Sequence, residues 1–211
     1  MKRFLFLVLL LSMFLMPAAE AAEEHSLARI ARIPIILQTS QIPDRETMAS
    51  LETKLDRALH IPLNKTLQVA EYLPEAECEA ALKSVLAEMG RTGKKVKLKD
   101  AMKPLADKLQ ADIVVCPVLT SYSQYSYISF NWNHGNIICS TAAVELAGYE
   151  RASDQAFRKE YGKSFRDEYS PWGTAGALAN ECMDHVIEET GIQSMVSRLY
   201  MPKDEKTVGS E

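Results

Sequence analysis

Histidine and cysteine are the residues of this chain best suited to hold a metal ion, and their spacing predicts no such site. The four histidines are His25, His60, His134 and His185, and no two of them have the spacing of metal ligands on one helix. Cys182 and His185 are three residues apart, so one helix face could present both. A metal site needs at least one further ligand, and the sequence places none beside them. We therefore expect both residues to pack within the fold, with no metal ion and no cofactor.

No motif in the sequence predicts a catalytic residue. The nucleophilic serine of many hydrolases lies in a Gly-x-Ser-x-Gly turn, which does not occur here. Gly162, Lys163 and Ser164 resemble the end of a phosphate-binding loop, but that loop needs a glycine five residues before Gly162, where Phe157 stands. We therefore expect a protein that is not an enzyme. The alternative is a small exported enzyme or ligand-binding protein whose pocket is assembled from residues distant in sequence.

Aromatic side chains between residues 122 and 132 form the strongest candidate for a binding surface. In an extended strand Tyr125 and Tyr127 share one face, whereas Ile128, Phe130 and Trp132 share the other. One set can then pack on the core while the other stays available to a partner, and protein interfaces concentrate such rings. We predict that Tyr125, Tyr127, Phe130 and Trp132 bind a protein partner. The alternative is that the rings pair with one another inside a twisted sheet.

The first 21 residues have the pattern of a cleaved signal peptide. Lys2 and Arg3 precede an apolar run over residues 4–16, and residues 19–21 read Ala-Glu-Ala, a typical cleavage site. The apolar run is shorter than the roughly 20 residues that span a bilayer. We expect the mature chain to begin at Ala22, to be periplasmic or extracellular, and to keep no stable transmembrane anchor after cleavage. The alternative is an uncleaved anchor at the amino terminus.

The composition of the exported part favours one domain that does not bind nucleic acid. Cleavage removes Lys2, Arg3 and Glu20, so the formal charge changes from −4 to −5, and a mildly acidic chain has no general attraction for phosphates. Residues 91–108 are locally basic, which we interpret as a solvated loop and helix face; the alternative is contact with an anionic envelope surface or an acidic partner. We expect one domain over residues 22–200 and a disordered tail over 201–211.

Periodic apolar residues predict an α/β fold, a mixed sheet of about five strands with flanking helices in the order β-α-β-α-α-β-β-β-α. Phe157, Tyr161, Phe165 and Tyr169 recur every four residues, which fits a helix face but also one face of a strand, and the sequence leaves both open. The other predicted elements are strand 30–37, helix 44–59, strand 66–72, helix 75–89, helix 101–109 with Pro104 in or near its first turn, strand 111–119, a hairpin of 121–132 with 137–146, and a helix capped by Thr174.

The four cysteines, at 78, 116, 139 and 182, would meet oxidising conditions after export. If the hairpin turn lies at residues 133–136, Cys139 faces about residue 130 and Cys116 about residue 153, too far apart for a disulfide. A bond between them would need a turn near Tyr127. Cys182 lies on the apolar stripe of a helix, which favours a buried free thiol. We expect no disulfide, with all three full pairings left open by the sequence.

The predicted order of elements and the segment from Leu105 to Leu119 resemble the small α/β domain shared by TolB amino-terminal regions and the envelope lipoproteins CsgG and LpoB. In that group a helix enters a strand through a Leu-x-Ala-Asp junction, which is residues 109–112 here. The chain differs from several members in having no cysteine for a lipid after the signal and no recognisable propeller or pore-forming insertion. The resemblance implies a non-enzymatic module of the bacterial envelope that docks onto another protein. A structural subunit that forms homo-oligomers through the hairpin edge is a third possibility.

Overall fold

The structure is a computed structural model that describes residues 27–91, 96–128 and 135–200. The predicted signal peptide and tail lie outside these residues. The elements are, in chain order, β1 (Ala28–Arg32), β2 (Ile36–Leu37), α1 (Arg45–Leu59), α2 (Asn64–Leu67), β3 (Ala70–Tyr72), α3 (Glu75–Gly90), α4 (Leu98–Leu109), β4 (Ile113–Ile128), β5 (Asn136–Glu150), β6 (Gln155–Glu168), a 3₁₀ turn (Pro171–Gly173), α5 (Ala175–Thr190) and α6 (Ile192–Tyr200).

The strands form one mixed sheet in the order β3-β1-β4-β5-β6, with β2 as an additional partner of β4. The pairs of β1 with β3, β1 with β4 and β2 with β4 are parallel. The pairs of β4 with β5 and β5 with β6 are antiparallel, and these three strands are the longest in the sheet. The predicted α/β fold, a mixed sheet with flanking helices, is therefore confirmed, with six strands in place of about five.

The first predicted strand, 30–37, is two strands in the structure. Pro34 separates β1 from β2, because proline has no backbone N–H to donate to a ladder. The chain bends there, and β1 lies between β3 and β4 whereas β2 pairs with β4 alone.

Apolar side chains bury both faces of the sheet. On one face, called the α5 face, Ile113, Val115 and Leu119 of β4 belong to a cluster with residues of α1, α5 and α6. On the other, called the α4 face, Val114 and Cys116 of β4 belong to a cluster with residues of α3 and α4. Successive residues of β4 therefore point to opposite faces, as a strand buried on both sides requires.

Two helices, α1 and α5, begin at residues whose side chains cap them. Asp44 caps α1, its carboxylate accepting from Thr47 N at 2.7 Å, and Thr174 caps α5 by accepting from Ala177 N at 3.2 Å. The predicted position of Pro104, in or near the first turn of its helix, is wrong. Because α4 begins at Leu98, Pro104 lies inside the helix.

The aromatic segment at 155–168 is strand β6, which settles the choice that its four-residue spacing left open. Phe157, Tyr161 and Phe165 lie opposite Gly148, Val144 and Ser140 of β5. Tyr161 and Phe165 pack against the cluster of the α5 face, so this spacing reflects one face of a strand.

The register of the long hairpin differs from the one predicted with a turn at 133–136. Cys139 lies opposite Tyr125 rather than about residue 130, and Cys116 lies opposite Ala147 rather than about residue 153. The predicted consequence for this pair still holds, because Cys116 and Cys139 lie far apart along the ladder. All four cysteines are buried free thiols. Burial raises the pKa of Cys116 to about 12 and that of Cys182 to about 11.

Candidate functional site

A three-stranded end of the sheet extends past the helices of the α4 face. We call residues 121–128 of β4 with residues 136–143 of β5 the hairpin end; β6 runs alongside it. The buried contacts of α3 and α4 with β4 and β5 involve residues 114–118 of β4 and residues 147–149 of β5. Eight residues of β4 past this point correspond to about 27 Å of strand, so the hairpin end offers a long surface that these two helices leave open.

A β-bulge decides which side chains reach that open surface. The register between β4 and β5 shifts between Leu119 and Ser121, so Thr120 is an extra residue in β4. Before the bulge Leu119 belongs to the α5 face; after it, Tyr122 packs against that cluster. The odd-numbered residues 121–127 therefore point to the α4 face, where no described helix covers them.

The structure places Tyr125 and Tyr127 together on this open surface. They lie opposite Cys139 and Ile137 of β5, and their exposed fractions are 62% and 39%. A side-chain hydrogen bond with Cys139 raises the pKa of the Tyr125 phenol. The two predicted tyrosines thus present neighbouring rings to solvent, but their side chains contact different residues.

Tyr127 is held by an arginine of β6, the strand on the far side of β5. Arg166 lies opposite Cys139 on β6 and donates from Nη2 to the Tyr127 hydroxyl at 3.0 Å. This hydrogen bond raises the pKa of Arg166, and the guanidinium carbon lies 5.9 Å from the centre of the Tyr127 ring. Tyr127 therefore contacts Arg166 within the sheet, which is not the ring-to-ring pairing of the alternative interpretation, whereas Tyr125 has the larger exposed ring.

The remaining aromatic predictions fall in the turn. Phe130 and Trp132 lie outside the described residues and stay predictions. Ile128, the last described residue of β4, is 78% exposed.

Gln41 and Gln124 connect the hairpin end to neighbouring parts of the fold, and the sequence did not predict this contact. The backbone N–H of Gln124 donates to Gln41 Oε1 at 2.7 Å, so the Gln41 side chain occupies the place of a neighbouring strand. The Gln124 side chain points to the α5 face and accepts from Ala175 N, in the first turn of α5, at 2.8 Å. No local pattern predicts a contact between residues 41 and 124, because it depends on the tertiary arrangement.

A polar cleft of about 560 Å³ lies beside Gln124, between the amino-terminal ends of α1 and α5. The helices approach closely because Gly176 faces Thr47; a Cβ at position 176 would lie 2.7 Å from the Thr47 hydroxyl. Asp44, Thr174 and Gln124 accept from the backbone donors of the two first turns. The lining includes Asp44, Thr47, Ser50, Tyr122, Gln124 and Asn180.

The cleft has the size of a ligand pocket, but the protein already uses several of its polar groups. Ser50 donates to Asn180 Oδ1 at 2.6 Å, and Asn180 Nδ2 donates to Gly176 O at 2.9 Å. The Ser50–Asn180 bond joins α1 to α5, whereas the bond to Gly176 O and the two caps each lie within one helix. Several polar side chains of the cleft are therefore already engaged within the protein, and one of these contacts holds α1 against α5.

Cys182 and His185, the two residues considered as metal ligands, contact different parts of the fold. Cys182 is buried and its thiol lies 3.5 Å from Ala142 O, whereas His185 packs against Tyr161 with ring centres 3.9 Å apart. His185 Nε2 also lies 3.5 Å from a carboxylate oxygen of Glu189. Within residues 27–91, 96–128 and 135–200, no three His, Cys, Asp or Glu side chains are grouped for a metal ion.

Over the same part of the chain, no helix combines the length and apolar character needed to cross a bilayer. Of the basic stretch, Lys108 contacts Glu88 at 3.0 Å and Lys103 pairs with Asp154. These pairs fit the solvated helix face that the sequence predicted.

No known family model matches this chain, and no curated protein matches it. Solved structures with a similar fold include the hypothetical protein CT253 from Chlamydia trachomatis, with 11% identity, a TM-score of 0.45, and coverage of 81% of this chain and 98% of that one. Lipoprotein GNA1162 from Neisseria meningitidis has 14% identity, a TM-score of 0.37, and coverage of 76% and 99%. The LpoB C-terminal domain from Salmonella enterica has 8% identity, a TM-score of 0.31, and coverage of 67% and 83%. At this distance the likeness assigns no function to the chain, and the similarity to TolB stays a prediction.

Proposed function

We propose that this protein is an exported, non-enzymatic binding module of the bacterial cell envelope that docks onto a protein partner through the hairpin end. One observation carries the proposal: Tyr125 and Tyr127 lie side by side, solvent-exposed, on a sheet face that α3 and α4 leave open. Export is supported by the signal-peptide pattern of residues 1–21.

The chemistry of the surface suits a protein partner. Tyrosine offers a large contact area with few rotatable bonds, so it loses little conformational entropy on binding. Next to the rings the open face carries small hydroxyl side chains, including Thr141 and Ser164, whose oxygens lie 3.2 Å apart. A partner that covers Tyr125 can therefore approach the backbone of β5 and β6 closely, while Arg166 supplies one positive charge beside it.

The test compares two exposed positions on different elements of the fold, Tyr125 on β4 and Leu67 on α2. Tyr125→Ser removes the ring from the hairpin end, and Leu67→Ser removes an exposed apolar side chain, 59% accessible, from α2 just before edge strand β3. The exported chain is immobilised, and solubilised envelope proteins from the cells that produce it are passed over wild type and both variants. Captured proteins are quantified by mass spectrometry.

We expect one envelope protein to be retained by wild type and by Leu67→Ser, and about tenfold or more weakly by Tyr125→Ser, as for an aromatic hot spot. The melting temperature should fall by no more than about 3 °C, because most of the ring is in solvent. Equal retention by all three proteins would refute docking at Tyr125. A large fall in melting temperature would show that the ring belongs to the core.

A further inference from the structure

Strand β6 is a long, unprotected edge of the sheet. It lies last in the strand order, and within the described residues no strand pairs with its outer side. None of its fourteen residues is buried and ten are exposed. Fourteen residues of antiparallel strand extend over about 48 Å. An edge of this length displays a row of backbone donors and acceptors that a further strand can use.

The charges of β6 are complementary to the same strand turned end for end. If residue 163 is placed opposite itself in an antiparallel pair, every ionised side chain on either flank meets an opposite charge. The opposed pairs are Arg158 with Glu168, Lys159 with Asp167, and Glu160 with Arg166, followed by Tyr161 with Phe165 and Gly162 with Ser164.

Sheet geometry restricts the other registers. Opposed residues of an antiparallel pair point to the same face, so a continuous sheet with matching faces allows only shifts that keep this parity. Centring the pair on Gly162 opposes Arg158 to Arg166, and centring it on Ser164 opposes Glu160 to Glu168. Like charges directly opposite each other destabilise a ladder. Of these three registers, only the one centred on Lys163 places opposite charges against each other along both flanks of β6.

The central lysine pair is compensated within each chain. Lys163 Nζ lies 2.5 Å from a carboxylate oxygen of Glu181 on α5, so two lysines near the axis would bring two glutamates with them. On the same face Tyr161 and Phe165 are half-buried and would meet as a cross-strand aromatic pair.

From these observations we propose that the occupant of this edge is a second copy of the chain, bound by antiparallel pairing of β6 with β6 about a two-fold axis at residue 163. The two sheets become one continuous sheet, and the hairpin end of each copy stays outside the contact. The charges that normally protect an edge strand from pairing would here select one partner and one register.

Engineered disulfides test the register directly. In the proposed pair, the Cβ atoms of residue 163 in the two copies are about 5 Å apart, within reach of a disulfide after small adjustments. Residue 159 lies opposite residue 167 of the other copy and about 27 Å from its own counterpart. The variants are Lys163→Cys, Lys159→Cys and Asp167→Cys in the exported chain, oxidised and analysed by non-reducing electrophoresis. Wild type, whose cysteines are buried, gives the baseline.

We expect Lys163→Cys to cross-link with itself, whereas Lys159→Cys and Asp167→Cys cross-link only when the two proteins are mixed. Self-cross-linking of Lys159→Cys equal to that of Lys163→Cys would overturn the register. A wild-type chain that is monomeric by sedimentation equilibrium at about 1 mM, where only very weak complexes dissociate, would overturn the dimer itself.

A charge exchange supplies an independent test. Lys159→Asp and Asp167→Lys each create two like-charge contacts per dimer, so each should weaken dimerisation about tenfold or more. The double variant restores opposite charges and should recover wild-type dimerisation, with folding of all three checked by circular dichroism. A double variant as weak as the singles would contradict the pairing. Retained partner capture by these variants would separate this contact from docking at the hairpin end.

Discussion

Gly148 offers a stringent test of the strand register on which both surfaces depend. It lies in the middle of β5, opposite Val115 on β4 and Phe157 on β6. A Cβ built there would be 2.3 Å from Phe157 Cζ and 2.4 Å from Val114 O, closer than real Cβ contacts. The Phe157 ring can rotate away, but the carbonyl belongs to the ladder, so β4 and β5 would have to move apart.

The expected cost of Gly148→Ala follows from that geometry. Overpacking a core usually costs about 1–3 kcal/mol, and a carbonyl that cannot rotate away places this site in the upper half of the range. Replacing glycine by alanine recovers about 0.4–1 kcal/mol by restricting the unfolded chain. We therefore expect Gly148→Ala to lower the free energy of unfolding by about 2 kcal/mol, equivalent to a fall of about 4–8 °C in melting temperature.

The matched control is Gly162→Ala on β6. Gly162 lies on the exposed edge strand, and the nearest atom to a new Cβ there is Ala143 Cβ of β5 at 3.1 Å, so the change should stay within about 0.5 kcal/mol. Urea unfolding followed by circular dichroism measures both variants. Equal stability of Gly148→Ala and Gly162→Ala would refute the close contact of β4, β5 and β6 around Gly148.

Two further predictions concern the α1 cap and the thiols. Asp44→Ala should cost about 1 kcal/mol and Asp44→Asn much less at neutral pH. The hydrogen bond from Thr47 N lowers the pKa of Asp44, so the stabilisation by this carboxylate is complete above its ordinary pKa of 3.8 and is lost as the pH falls through its lower pKa in the folded state. Wild type should therefore lose more stability than Asp44→Asn on acidification, and parallel pH profiles of the two proteins would contradict this. Burial raises the pKa of Cys116 to about 12 and that of Cys182 to about 11, so neither thiol should react with Ellman's reagent at pH 8 until urea unfolds the chain, and rapid reaction of either in the folded protein would show that it is accessible.

The sequence predicts the elements of this fold better than their pairing. The spacing of Leu51, Leu55 and Leu59 and the cap at Asp44 define α1, because both signals are local. Strand β6 could not be distinguished from a helix, since rings four residues apart lie on one side of either structure. Its pairing with β5 decides between them, and that contact is not encoded in a local pattern.

The candidate site shows the same division. That Tyr125 and Tyr127 share a face follows from alternation along a strand. Which face they share depends on the bulge at Thr120, which reverses the alternation without a glycine or proline to mark it. The Gln41 contact to Gln124 joins residues far apart in sequence. The complementary charges of β6 suggest pairing with a second copy only once the structure shows that this strand is an edge of the sheet.

Site-specific photo-crosslinking in intact cells tests the central claim most directly. One chain carries a photoreactive amino acid in place of Tyr125, and a second carries it in place of Lys83, whose side chain is 74% exposed on α3, a helix that packs against β1 and α4. Docking through the hairpin end predicts that one envelope protein is captured from position 125 and not from position 83, and that excess wild-type chain suppresses the capture. Capture of the same proteins from both positions, or none from position 125 when the purified chain binds its partner, would contradict it.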